Sequence, residues 1–113
     1  MLKPGSQAHL IDRLGATPEQ IAALCQRWQI TELALFGSIL RHDFRPDSDI
    51  DLLVTFAPTA HWGLLAHVRM ERELSQMLDR SVDLIEKAAI QESPNWLRRN
   101  EILQTAQIIY AAR

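Results

Sequence analysis

A chain of 113 residues with twelve Lys and Arg against fourteen Asp and Glu carries a formal net charge of -2 and a pI near 6.0. That balance excludes a protein that grips long nucleic acid through a basic face, and the length fits one domain with no room for a separate substrate domain. The single Cys25 excludes an internal disulfide framework and suits a reducing cytosol; residues 1–15 contain no apolar leader-like core and no run approaches the ~20 apolar residues that span a bilayer, so a soluble, cytoplasmic protein with a loosely attached first 15 residues is expected.

In chain order, Thr17-Pro18-Glu19-Gln20 reads as an N-cap, a proline in the first turn and a capping-box partner. Ile21, Leu24, Cys25 and Trp28 follow at helical spacing and predict a first helix to about Trp28, with Cys25 as a buried structural thiol. Ile30 to Phe36 is a predicted strand, Ser38 to His42 a short helix, and Phe44 to Ser48 a loop broken by Pro46. A second strand runs from Asp49 to Phe56 and ends before Pro58. His61 to Leu78 reads as a helix with an imperfect apolar stripe through Leu64, Leu65, Val68, Leu74, Met77 and Leu78. Asp79-Arg80-Ser81 turns into a third strand, Val82 to Glu86. Ser93-Pro94 opens a last helix whose Trp96, Leu97, Ile102, Leu103, Ala106 and Ile109 form an expected buried face. This order gives an α/β fold with a small mixed β-sheet flanked by helices, in a single domain over residues 1–113.

Two short motifs stand ten residues apart: Gly37-Ser38, then Ile39 to Ser48, then Asp49-Ile50-Asp51. Residues two apart on a strand point the same way with Cβ atoms roughly 6.5–7 Å apart. Asp49 and Asp51 therefore face one side, where two carboxylates can converge on Mg²⁺, while Ile50, Leu52 and Val54 anchor the other. Solvated acids at a strand edge are the plain alternative, but Asp is depleted inside strand-like runs. Gly37 at the end of an apolar strand lets the backbone approach an anion without a Cβ in the way. A helix beginning at Ser38 would add N–H groups and a hydroxyl; taken alone, the pair reads equally as a turn with a serine cap. Arg41, three residues after Ser38, is either a solvated charge or a second phosphate ligand. Arg45 and Lys87 are weaker candidates for that role, and Ser48 reads as a cap at the entry to the strand. His42, His61 and His67 show no metal-ligand spacing, and Trp28, Trp62 and Trp96 are scattered residues of core or interface.

Phe36-Gly37-Ser38, Arg41 and Asp49-Ile50-Asp51-Leu52-Leu53-Val54 together resemble the polymerase-beta-like nucleotidyltransferase superfamily, and within it the minimal nucleotidyltransferases (MNT) paired with HEPN-domain partners in toxin–antitoxin modules. The resemblance runs from about Leu33 to Ile85, with Arg98 to Leu103 similar to the family's C-terminal helix. It implies a third carboxylate on a later strand, which Asp83 in Ser81-Val82-Asp83-Leu84-Ile85 supplies. It implies catalytic and metal-binding roles for Asp49, Asp51 and Asp83, phosphate contacts for Gly37, Ser38 and Arg41, and Mg²⁺ with ATP as the nucleotide donor. Asp49 and Asp51 would hold the ion on the triphosphate, Asp51 and Asp83 the site that activates the acceptor.

The function so implied is an antitoxin that transfers AMP from ATP to a hydroxyl, a tyrosine, of a cognate HEPN toxin. No membrane or stable nucleic-acid partner is expected. Two other readings stay open on the residues alone: a non-catalytic antitoxin that occludes its toxin, and a nucleotidyltransferase for a small hydroxylated molecule. In the apolar segment after Ser38, Leu40 and Phe44 read either as residues that pack beneath the loop or as a mark of weaker nucleotide affinity.

Overall fold

The fold comes from a computed structural model, which describes residues 13–41, 45 and 47–112. Expectations placed on residues 1–12, on His42 and Phe44 and on Pro46 lie outside the described residues. Helix α1 (Pro18–Arg27) starts as its sequence dictates: Thr17 accepts the Gln20 N–H at 3.1 Å while the Gln20 side chain accepts the Thr17 N–H at 2.9 Å. Strand β1 (Ile30–Phe36) leads into a four-residue 3₁₀ turn, Gly37–Leu40. Then come β2 (Ile50–Phe56), α2 (Leu64–Leu78), β3 (Val82–Glu86), α3 (Lys87–Gln91), α4 (Trp96–Thr105) and β4 (Gln107–Ala111).

The four strands form one mixed sheet in the order β3-β2-β1-β4, with β1 antiparallel to both β2 and β4 and β2 parallel to β3. Strand alternation splits the apolar residues between its two faces. On one face Leu33, Leu35, Ile50, Leu52, Val54 and Leu84 pack with Ile21, Leu24 and Cys25 of α1 and Met70, Leu74 and Leu78 of α2. On the other, Ala34, Phe36 and Leu53 pack with Ile90 of α3 and Ile102 of α4. Helices on both faces explain why β1 and β2 read as near-continuous apolar runs. Cys25 is fully buried in the first layer, and burial pushes its thiol up to about 12, so it is protonated at neutral pH and structural, as its position predicts. Ile39 is fully buried in the same layer and Leu40 packs against it, so the apolar stretch after Ser38 is core material.

β3 is an edge strand, and α2 covers its open side. The Glu71 carboxylate accepts the Leu84 N–H at 2.9 Å, and the His67 ring nitrogen Nε2 lies 2.7 Å from the Leu84 carbonyl oxygen. These bonds satisfy backbone groups that would otherwise invite another strand, and they pin β3 next to Asp83. His67, which the sequence leaves as a plain helix residue, thus fixes an edge.

Five expectations change. The spacing from Trp96 to Ile109 predicts one helix, but α4 ends at Thr105, and the chain extends at Ala106 (φ -57, ψ 139) into β4. Ile108, Ile109 and Tyr110 suit a strand, and the unpaired edge of β1 gives them a partner. Asn95, rather than Ser93-Pro94, caps α4, its side chain accepting the Arg98 N–H at 3.2 Å. Trp96 and Leu97 are exposed, as are Leu64, Leu65 and Val68, so the predicted stripes are only partly buried. α2 begins at Leu64, after His61 and Trp62; Trp62 donates to the Trp28 carbonyl at 2.8 Å and packs edge-on against its ring at 5.1 Å, so two tryptophans read as scattered are together. Among the described residues no helix is long and apolar enough to cross a membrane.

Candidate active site

The parallel pairing of β2 with β3 places Asp51 opposite Asp83. Both belong to the strand positions that share a face with Leu53 and Ile85, so their side chains leave the sheet on the side that α3 and α4 cover. Asp49 precedes β2 by one residue and is exposed. The antiparallel pairing of β1 with β2 sets Phe36 opposite Asp51, which brings the next residue, Gly37, against the carboxylate. Gly37 has φ +78, and a Cβ built on it would stand 3.3 Å from Asp51 Cγ and collide with Oδ2. The glycine is therefore required twice, for its left-handed backbone and for the space that Asp51 occupies.

The two motifs are also joined directly. The Ser38 hydroxyl donates to the Asp49 carbonyl at 3.4 Å, and Arg41 N–H closes the 3₁₀ turn on the Ser38 carbonyl at 2.9 Å. Ser48 caps the loop before β2, its hydroxyl accepting the Arg45 N–H at 3.1 Å, as its position predicts. Arg80 holds the same loop by donating to the Arg45 carbonyl at 3.2 Å. Lys87 lies elsewhere, in an ion pair with Glu32 at 3.0 Å, and is not brought to the carboxylates by this arrangement.

Charge crowding is centred on Asp51. Partial burial raises its pKa first, and the negative charges of Asp83 and Asp49 raise it further; Arg98 and Arg41 act in the opposite direction. In the sequence Arg98 stands only as the first residue of the segment similar to the family's C-terminal helix, because nothing in linear spacing says that the start of α4 reaches β2. Among the described residues no three His, Cys, Asp or Glu side chains form a ready-made metal cage. The donor set nevertheless fits a hard divalent ion. Mg²⁺ is typically held by one or two carboxylates together with substrate phosphates and water, so a complete protein cage is not required, and the net repulsion at Asp51 is what a cation would relieve.

This crowding has a consequence for the metal-free protein. Because the folded-state pKa of Asp51 lies above its unfolded value, the folded chain holds that proton longer. The Asp51 contribution to stability is therefore most favourable below the unfolded pKa and declines as pH rises toward the folded one. Asp51→Asn is expected to raise the Tm of the metal-free protein at pH 7, on the order of a few degrees for a domain of this size, and to leave the difference small at pH 3.5. Equal Tm values at pH 7 would refute the repulsion.

The nucleotidyltransferase domain family matches residues 18–109, which include all of these groups. The chain belongs to that family. This nucleotidyltransferase domain is 34% identical over 67 residues to the protein adenylyltransferase MntA of Thermococcus cleftensis, a match covering 59% of this chain and 66% of the relative. The chain thus spans just under two thirds of that relative's length. In three dimensions the domain is similar to a protein described as a minimal nucleotidyltransferase, at TM-score 0.60 and 32% identity over 79% of this chain and 85% of the other. It also shares its fold with a chain of a toxin–antitoxin crystal structure containing AMP-PNP, at TM-score 0.64 and 21% identity over 86% of this chain and 75% of that one. The mixed sheet with its flanking helices is the nucleotidyltransferase core that the family resemblance implies.

Proposed function

We propose that this domain is an antitoxin that transfers AMP from ATP to a hydroxyl, a tyrosine, of a cognate HEPN-type toxin. The observation that carries the reading is Asp51 set beside Asp83 in register, with Gly37 folded against the Asp51 carboxylate. Asp49, Asp51 and Asp83 would hold Mg²⁺, which when bound neutralises triphosphate charge and favours the ionised acceptor oxygen. Gly37 and Ser38 give the phosphates an unobstructed turn, and Arg41 supplies positive charge beside it. The acceptor oxygen bonds to the α-phosphorus in line, the bond from that phosphorus to the bridging oxygen breaks, and pyrophosphate leaves. The hydroxyl proton passes to the Asp51–Asp83 pair.

A protein acceptor is supported by two features. The chain is similar to a protein adenylyltransferase. Large apolar side chains also lie exposed at Leu64, Leu65, Trp96 and Leu97, more than a protein working alone on a small molecule needs on show. The test is intact-mass spectrometry of a co-purified HEPN-type toxin after incubation with this domain, Mg²⁺ and ATP. A gain of one or more AMP masses on tyrosine is the expected result. A stable complex with no mass gain would overturn transfer in favour of occlusion.

A further inference from the structure

We propose that Arg98 is a nucleotide-binding residue, a second cation that acts on the triphosphate from the α4 side of the carboxylates while Arg41 acts from the 3₁₀ turn. The inference rests on the reading of the site as an ATP site and adds a residue to it. Its basis is the way α4 sits on the sheet. Ile102 of α4 is buried in the layer that also holds Phe36 and Leu53. Arg98 lies four residues before Ile102, so the two share a face of the helix, one turn apart. Asp51 lies two residues before Leu53, so these two share a face of the strand. Seating Ile102 in the layer with Leu53 therefore brings Arg98 to the same side of the sheet as Asp51.

The neighbouring arginine serves as an internal contrast. Arg99 is partly buried and donates to the Ser93 carbonyl at 3.1 Å, tying down the turn before α4. The side chain of Arg98 is exposed and, among the described residues, makes no hydrogen bond or close ion pair. A guanidinium held over an acidic cluster but not hydrogen-bonded to it keeps its donor fork available for phosphate oxygens. With the triphosphate bridging to metal on the carboxylates, Arg41 and Arg98 would flank it from two different elements. That fits a short chain which must hold a polyanion at net charge -2 without a large basic surface.

The test is calorimetric titration of the intact domain with AMP-PNP and with AMP, each in Mg²⁺, for the wild type, Arg98→Ala, Arg98→Lys and Arg99→Ala, with melting temperatures recorded for all four. The expected result is about tenfold weaker AMP-PNP binding in Arg98→Ala, a smaller loss in Arg98→Lys, and a much smaller effect on AMP, since the charge acts on the β- and γ-phosphates. Arg99→Ala is expected to lower the melting temperature and keep the affinity. Unchanged AMP-PNP affinity in Arg98→Ala beside a wild type that binds would overturn the assignment of Arg98 alone, whatever its melting temperature, and leave the site reading standing. Absence of AMP-PNP binding by the wild type would overturn the site reading and this inference together.

Discussion

Asp51→Asn is expected to slow AMP transfer on the order of a thousandfold while the variant still forms the complex with its toxin. The substitution is nearly isosteric, so the space beside Gly37 stays filled and the β2–β3 register is undisturbed. What it removes is charge at the position where two proposed duties meet, holding metal with Asp49 on the triphosphate side and activating the acceptor with Asp83. Asp49→Asn is expected to cost less, because Asp49 is exposed ahead of the strand and serves one side only. The measurement is the initial rate of mass gain on the toxin, with size-exclusion co-elution as the control for binding. Transfer within tenfold of the wild type would sink the assignment of Asp51. The same variant is expected to melt higher than the wild type when metal-free, so stability and activity should move in opposite directions. That divergence is the signature of a site whose charges are assembled for a ligand rather than for the fold.

Asp49 and Asp51 were legible because strand alternation is a local rule, whereas Asp83 was reached only through the family resemblance. Once Ile50, Leu52 and Val54 are assigned to the core, Asp51 must point the other way, and Leu53 with it. Linear spacing also finds the capped start of α1, since the capping box at Thr17 and Gln20 closes within four residues. The failures share a different cause. β4 was hidden because Ile102, Leu103, Ala106 and Ile109 satisfy a helical period as well as Ile108, Ile109 and Tyr110 satisfy a strand. The choice was made by the open edge of β1, a partner some seventy residues earlier in the chain. Leu64 and Leu65 were assigned to the core for their apolar character, yet they occupy the first turn of α2, ahead of the buried Met70, Leu74 and Leu78. Arg98 depends on how α4 is seated against β1 and β2, information that no window of sequence around it contains.

Gly37→Ala should be damaging in a way that separates geometry from charge. Alanine in the left-handed region costs ~1–2 kcal/mol, and here the added methyl also meets Asp51, whose Cγ lies 3.3 Å from the Cβ position and whose Oδ2 is closer still. The carboxylate must swing away, and Asp83 in register on the neighbouring strand limits where it can go. A displacement of this kind at a reacting centre is expected to cost about a hundredfold in AMP transfer, together with a lower melting temperature, whereas Asp51→Asn loses activity and gains stability. A double-mutant cycle isolates the clash. Adding Asp51→Ala to Gly37→Ala removes the colliding atoms, so the stability penalty of Gly37→Ala should shrink toward its backbone part alone. Denaturant melts of the wild type, the two single variants and the double variant give that coupling directly. If Gly37→Ala costs the same stability with and without the Asp51 carboxylate, the glycine is needed for its backbone conformation alone, and the close approach of the two motifs plays no part in selecting it.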